Sequence, residues 1–141
     1  MAFLWVALGG AIGSMGRYGL GLWLARHEGF PWATLAANIL GAFIIGVCAG
    51  FFMEEQRKST SAIFLMSGFC GGFTTFSAFS LQTVELMREQ AWLKAAANAG
   101  SSTILCLACV WLGWVGFLTV TMTFLASASN PFLMSSMIPV V

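Results

Sequence analysis

"SGFCGGFTTFSAFS", residues 67–80, interrupts an apolar stretch just where a membrane helix should continue. The adjacent glycines Gly71 and Gly72 carry the weakest helix preference after proline. Thr74 and Thr75 can satisfy freed backbone groups with their hydroxyls. Non-helical backbone at membrane depth persists only where protein buries it or it lines a wet cavity. The segment therefore predicts a helix that unwinds over Gly71–Thr75. Unwinding would free carbonyls suited to a cation and N–H groups suited to an anion. Phe76 and Phe79 are three apart and share a face once the helix resumes. The edge of a phenyl ring is partially positive, so the pair can line an anion path without a formal cation. The same spacing also serves ordinary packing.

The rest of the chain sets this stretch in a membrane. Of 141 residues, 59% are hydrophobic and 8% charged, with a mean hydropathy of +0.88. A soluble domain needs far more charged surface. A spanning helix needs about 20 mostly apolar residues. Four stretches qualify, at about 3–25, 31–53, 61–86 and 93–119. The fold expected is an all-α integral membrane protein with four transmembrane helices, the third broken near its middle. Residues 1–125 form one channel-sized domain, and 126–141 are a tail to which the sequence assigns no role. The first stretch lacks the basic leader of a signal peptide, and the length leaves no room for a separate catalytic domain. Pro31 suits the first turn of the second helix.

Charge clusters between the spans. The loop after the second carries Arg57 and Lys58; the opposite face carries Arg26, Arg88 and Lys94. So even a balance sets no firm direction by the positive-inside rule, leaving one weakly chosen orientation and insertion both ways open. No Asp occurs, and none of the five Glu lies deep in a span, Glu85 coming closest. A proton-coupled exporter of cationic drugs would need such a carboxylate. No nucleophile–base set and no metal-ligand cluster appears, so catalysis is not expected. Cys48, Cys70, Cys106 and Cys109 all fall inside spans and read as small apolar packing residues.

The remaining spans add polar and glycine faces. In "GGAIGSMGRYGLG" of the first, Gly9 and Gly13 clear a groove for another backbone. Arg17 there reaches the interface, helps stabilise helix ends or attracts anions at a pore mouth. In the second, Asn38 can bond a neighbouring helix or offer N–H donors to an anion, and Gly41, Gly46 and Gly50 mark close packing. In the fourth, Ser102 and Cys106 share a face, with Asn98 one turn earlier.

"GGAIGSMGRY", "TLAANILGAFIIG" and "GFCGGFTTFSAFS" together resemble the signature segments of the Fluc (CrcB) fluoride channels of bacteria, over about residues 5–120. The resemblance implies an antiparallel, dual-topology homodimer in the cell (inner) membrane, with two fluoride pores lined by both subunits. It implies a structural Na⁺ at the dimer centre, held by the carbonyls of Gly71 and Thr74. It assigns the aromatic box to Phe76 and Phe79 and the pore asparagine to Asn38. The polar track falls to Ser102 and Cys106 with Asn98 at its outer end, Ser77 and Thr75 lie nearby, and Arg17 matches the first-helix arginine. Gln82 stands where relatives commonly place glutamate, and Cys106 where a hydroxyl is more usual. The expected function is passive, fluoride-selective export that lowers cytoplasmic fluoride. The alternative is a small four-helix multidrug-type exporter, disfavoured by the missing carboxylate; a non-transporting assembly subunit would explain the glycines but not the polar break.

Overall fold

The computed structural model describes residues 1–27, 29–52 and 54–128, and for Glu54, Glu55 and Ala128 only the backbone. Asn130, Pro131, Pro139 and the rest of the expected tail after 128 lie outside the described residues. All regular structure among the described residues is helical. Helix α1 is Ala2–Leu24 and α2 is Trp32–Phe51. A short turn at Glu54–Lys58 leads to the third span, Thr60–Arg88. We call its first half, residues 60–73, α3 and its second half, Phe76–Arg88, α4. Helix α5 is Trp92–Ala128.

The second, third and fourth spans are long and apolar enough to cross a membrane: Trp32–Phe51, Thr60–Arg88 and Trp92–Ser127. Helix α1 has the length, at 23 residues, but its glycines, Arg17 and Tyr18 lower its hydropathy. At 37 residues, α5 is about 55 Å long at 1.5 Å per residue. It outruns the expected end near Thr119 and carries through the boundary placed at residue 126.

Local chemistry explains where the helices begin and turn. Pro31 is the N-cap of α2 rather than a residue of its first turn, and its carbonyl accepts from the Leu35 amide at 3.1 Å. Ser59 caps α3, its hydroxyl accepting from the Ala62 amide at 3.3 Å. Helix α4 closes in a Schellman motif: Ala91 N donates to Leu86 O at 2.9 Å and Gln90 N to Met87 O at 3.0 Å. Gln90 takes the left-handed conformation this requires (φ 60°). The turn is so short that α4 and α5 run antiparallel as neighbours.

Glycines decide how close the helices come. Helix α1 packs mainly on α3, and α2 on α5. A Cβ at Gly9 would strike the Phe64 carbonyl oxygen and sit 2.8 Å from Phe69 N. One at Gly13 would strike the Phe69 carbonyl and sit 2.8 Å from Phe73 N. Backbone therefore meets backbone along the groove read from the sequence. Gly46 meets the Val110 backbone in the same way, and Gly50 meets Phe117.

The third span departs from the sequence reading in detail. Ile63–Cys70 is π-helical, a wide i→i+5 winding that no local signal announced. Gly71–Phe73 stays helical, with Gly71 at φ −61°, ψ −35°. Only Thr74 (φ −84°, ψ 156°) and Thr75 (φ −152°, ψ 115°) are extended. The expected unwinding at the glycines is corrected by this geometry: the glycines pack while the threonines extend. Gly72 lies against the Gly10 backbone, where a side chain has no room. β-Branched threonine is at ease in extended backbone.

Candidate functional site

The extended pair opens onto a cleft of about 380 Å³ walled by α2, α3, α4 and α5. Every backbone group around the pair can be traced. The Thr74 amide and hydroxyl both donate to the Cys70 carbonyl, each at 2.9 Å. In a continuous helix the Thr75 amide would donate to Gly71; here it donates to Asn38 Oδ1 at 2.8 Å. Asn38 Nδ2 in turn donates to the Thr75 carbonyl at 3.2 Å. Asn38 thus grips both backbone groups of one residue, as a neighbouring strand would. The Ala78 amide would in a helix donate to Thr74 but donates to Thr75 Oγ1 at 3.2 Å, so Thr75 caps α4.

Four carbonyls, those of residues 71–74, lose their helical donors in this exchange. Among the described residues, the Gly71, Phe73 and Thr74 oxygens receive no hydrogen bond. Gly72 is treated differently: its carbonyl accepts from Arg17 Nε at 3.3 Å and from Ser14 Oγ at 3.4 Å. Arg17 thus reaches the last turn of α3. The two half-helices present opposite partial charges, negative at the carbonyl end of α3 and positive at the amide end of α4. One interruption therefore offers partners to ions of either sign.

Phe76 and Phe79 both line the cleft, with ring centroids 5.4 Å apart and planes inclined by 44°. Phe76 is 80% exposed, so the cleft is open on that side. Ser102 and Cys106 of α5 form the facing wall. Ser102 is 7% exposed, and its buried hydroxyl has no hydrogen-bond partner among the described residues. Leaving such a group unpaired costs roughly 1–3 kcal/mol. A hydroxyl in that condition is free to donate to whatever enters. Among the described residues no carboxylate, histidine or cationic side chain lines the cleft.

Of the residues singled out from the sequence, Asn38, Gly71, Thr74, Thr75, Phe76, Phe79, Ser102 and Cys106 are gathered here. Ser77 lies exposed beside them, its hydroxyl 3.1 Å from that of Thr75. Asn98 does not line the cleft. It is 1% exposed and donates through Nδ2 to Thr83 Oγ1 at 2.9 Å. Gly41, read from the sequence as a close-packing glycine, leaves a recess that receives Thr74 Cγ2, whereas Thr83 and Ser14 escaped the sequence reading. Only helical spacing hinted at them: Thr83 lies one turn after Phe79 and Ser14 one turn before Arg17. Gln82 Oε1 is buried without a partner. Among the described residues no cluster of His, Cys, Asp or Glu could hold a metal.

Residues 4–114 match the family described as CrcB-like protein, Camphor Resistance (CrcB). The chain is 48% identical over 118 residues to a protein of Opitutus terrae named fluoride-specific ion channel FluC, covering 80% of this chain and 89% of that one. A Rhodospirillum rubrum protein of the same name is 47% identical over 121 residues, 82% of this chain and 94% of its own. One from Paramagnetospirillum magneticum, again so named, is 45% identical over 120 residues, with coverage of 82% and 94%.

Proposed function

The chain belongs to the CrcB-like family, and from that premise we propose that it is a multi-pass fluoride channel of the cell (inner) membrane, not an enzyme. Relatives across 80% or more of its length carry the name fluoride-specific ion channel. The observation that carries the reading is the cleft itself. Phenyl edges, an unpaired buried hydroxyl and the positive end of a half-helix converge there, with no charged side chain among the described lining residues. An anion entering the cleft exchanges water for these weak donors and leaves again because none of them is strong enough to hold it. Fluoride is small enough for short hydrogen bonds to Ser102, while a larger halide fits that geometry poorly. Flow is passive, driven by the electrochemical gradient, and lowers cytoplasmic fluoride. The exporter alternative is disfavoured, since among the described residues no carboxylate lines the cleft.

The open, Phe76-exposing side supports an assembly of two chains. An antiparallel, dual-topology homodimer suits the near-even loop charges (Arg57 and Lys58 against Arg26, Arg88 and Lys94). A structural Na⁺ suits the Gly71 and Thr74 carbonyls, hard oxygens relieved of their helical donors. Two carbonyls are too few for a full shell, so a second copy would have to complete it. When bound, the ion would neutralise the carbonyl end of α3.

Purified protein reconstituted into fluoride-loaded vesicles tests the reading. Addition of a potassium ionophore should release fluoride to an external electrode, while chloride-loaded vesicles retain their anion. Equal release of chloride would overturn fluoride selectivity, and release of neither would overturn the channel.

A further inference from the structure

The geometry points to Thr83 and Asn98 as a positioning clamp that sets the register of the ion cleft, a role that rests on the fluoride-channel reading. Asn98 Nδ2 donates to Thr83 Oγ1 at 2.9 Å, and the Thr83 hydroxyl donates to the Phe79 carbonyl at 2.7 Å. Back-bonding to the residue four earlier is common here; Thr103, Thr119 and Thr123 all do it on α5. Thr83 differs because its oxygen also accepts from another helix, and both partners are buried, Thr83 at 8% exposure and Asn98 at 1%.

The clamp's position gives it leverage. Helices α4 and α5 run antiparallel from the turn at Gln90. One turn from Thr83 toward the cleft is Phe79, and one turn from Asn98 in the same direction is Ser102. A further turn brings Thr75 and Cys106. All four of these residues line the cleft, whereas the clamp beneath them does not. The α4–α5 contact is otherwise the smaller of those α5 makes, its main partner being α2. A directional hydrogen bond between buried side chains therefore specifies what apolar packing alone would leave loose: which turn of α4 faces which turn of α5. Slippage or rotation there would carry the Phe79 ring away from the Ser102 hydroxyl.

Three variants test this in the vesicle assay, with wild-type fluoride release first checking the channel reading separately. T83S keeps the hydroxyl and should keep fluoride flux and the fluoride-to-chloride ratio within about twofold. T83V strands the Asn98 amide in a buried site and should lose flux by about tenfold or more, with lower yield of folded protein. T83V/N98L removes both polar groups, which relieves the unpaired donor. Its thermal stability should return toward wild type while flux and selectivity stay reduced. A stable T83V/N98L protein with wild-type flux and selectivity overturns the clamp, because stability without the hydrogen bond would then suffice. Loss of flux in T83S as well overturns it too, since the methyl group rather than the hydroxyl would be what matters.

Discussion

Replacing Asn38 by leucine removes the side chain that holds the extended pair open, and the cost can be worked out from the structure. Asn38 makes two hydrogen bonds to one residue, to the Thr75 amide at 2.8 Å and to the Thr75 carbonyl at 3.2 Å. Each is worth roughly 1–1.5 kcal/mol net, and a backbone group left unpaired away from water pushes toward the upper end. Together they contribute about 2–3 kcal/mol to this conformation. That corresponds to roughly a 30- to 150-fold change in its population. Without Asn38 the Thr75 amide regains its helical option on the Gly71 carbonyl, which would close the interruption and withdraw that carbonyl from any cation. N38L vesicles should therefore release fluoride at least tenfold more slowly than wild type, while the purified protein retains its helical circular dichroism. N38D, which keeps the acceptor for Thr75 but loses the donor and adds a negative charge, should be as impaired. If N38L released fluoride at the wild-type rate, the grip on Thr75 would have no part in conduction.

Other outcomes follow from the same geometry. Gly9→Ala places a methyl group against the Phe64 carbonyl and Phe69 amide and should lower the thermal midpoint in detergent by the equivalent of about 1–3 kcal/mol. Gly19→Ala, with nothing within 4 Å of the new Cβ, should be neutral or slightly stabilising. Phe79→Ile removes a ring edge from the cleft and should abolish most fluoride flux with the elution volume unchanged; Phe76→Ile should do likewise, and unchanged flux in both would remove the rings from the mechanism. Because no carboxylate or histidine among the described residues lines the cleft, fluoride flux at fixed gradient should stay flat from about pH 6 to pH 8, where histidine is the side chain that ordinarily titrates. A sigmoidal fall across that range would mean a titrating group controls entry.

Much of the architecture was written in local pattern. Apolar runs of spanning length, loop charges and the Gly9–Gly13 and Gly46–Gly50 faces led to the helices and to the surfaces by which they pack, because burial and backbone approach depend on residue type at fixed spacing. The polar residues of the cleft were legible as a set, since hydroxyls and an amide inside an apolar span stand out. Their division of labour was not legible. Asn98, read as the outer end of a polar track, is a buried donor to Thr83, a bond no local pattern announced. Gly71 and Gly72 looked like the point of unwinding and are helical.

What the sequence determined alone was therefore a membrane-spanning helical chain with an interruption somewhere in residues 71–75. Which bond breaks was decided by neighbours distant in the chain. Ser14 and Arg17 from α1 take the Gly72 carbonyl, Asn38 from α2 takes Thr75, and the Gly10 backbone presses on Gly72. A helix yields where outside partners replace its own hydrogen bonds, and those partners meet only after the chain has folded.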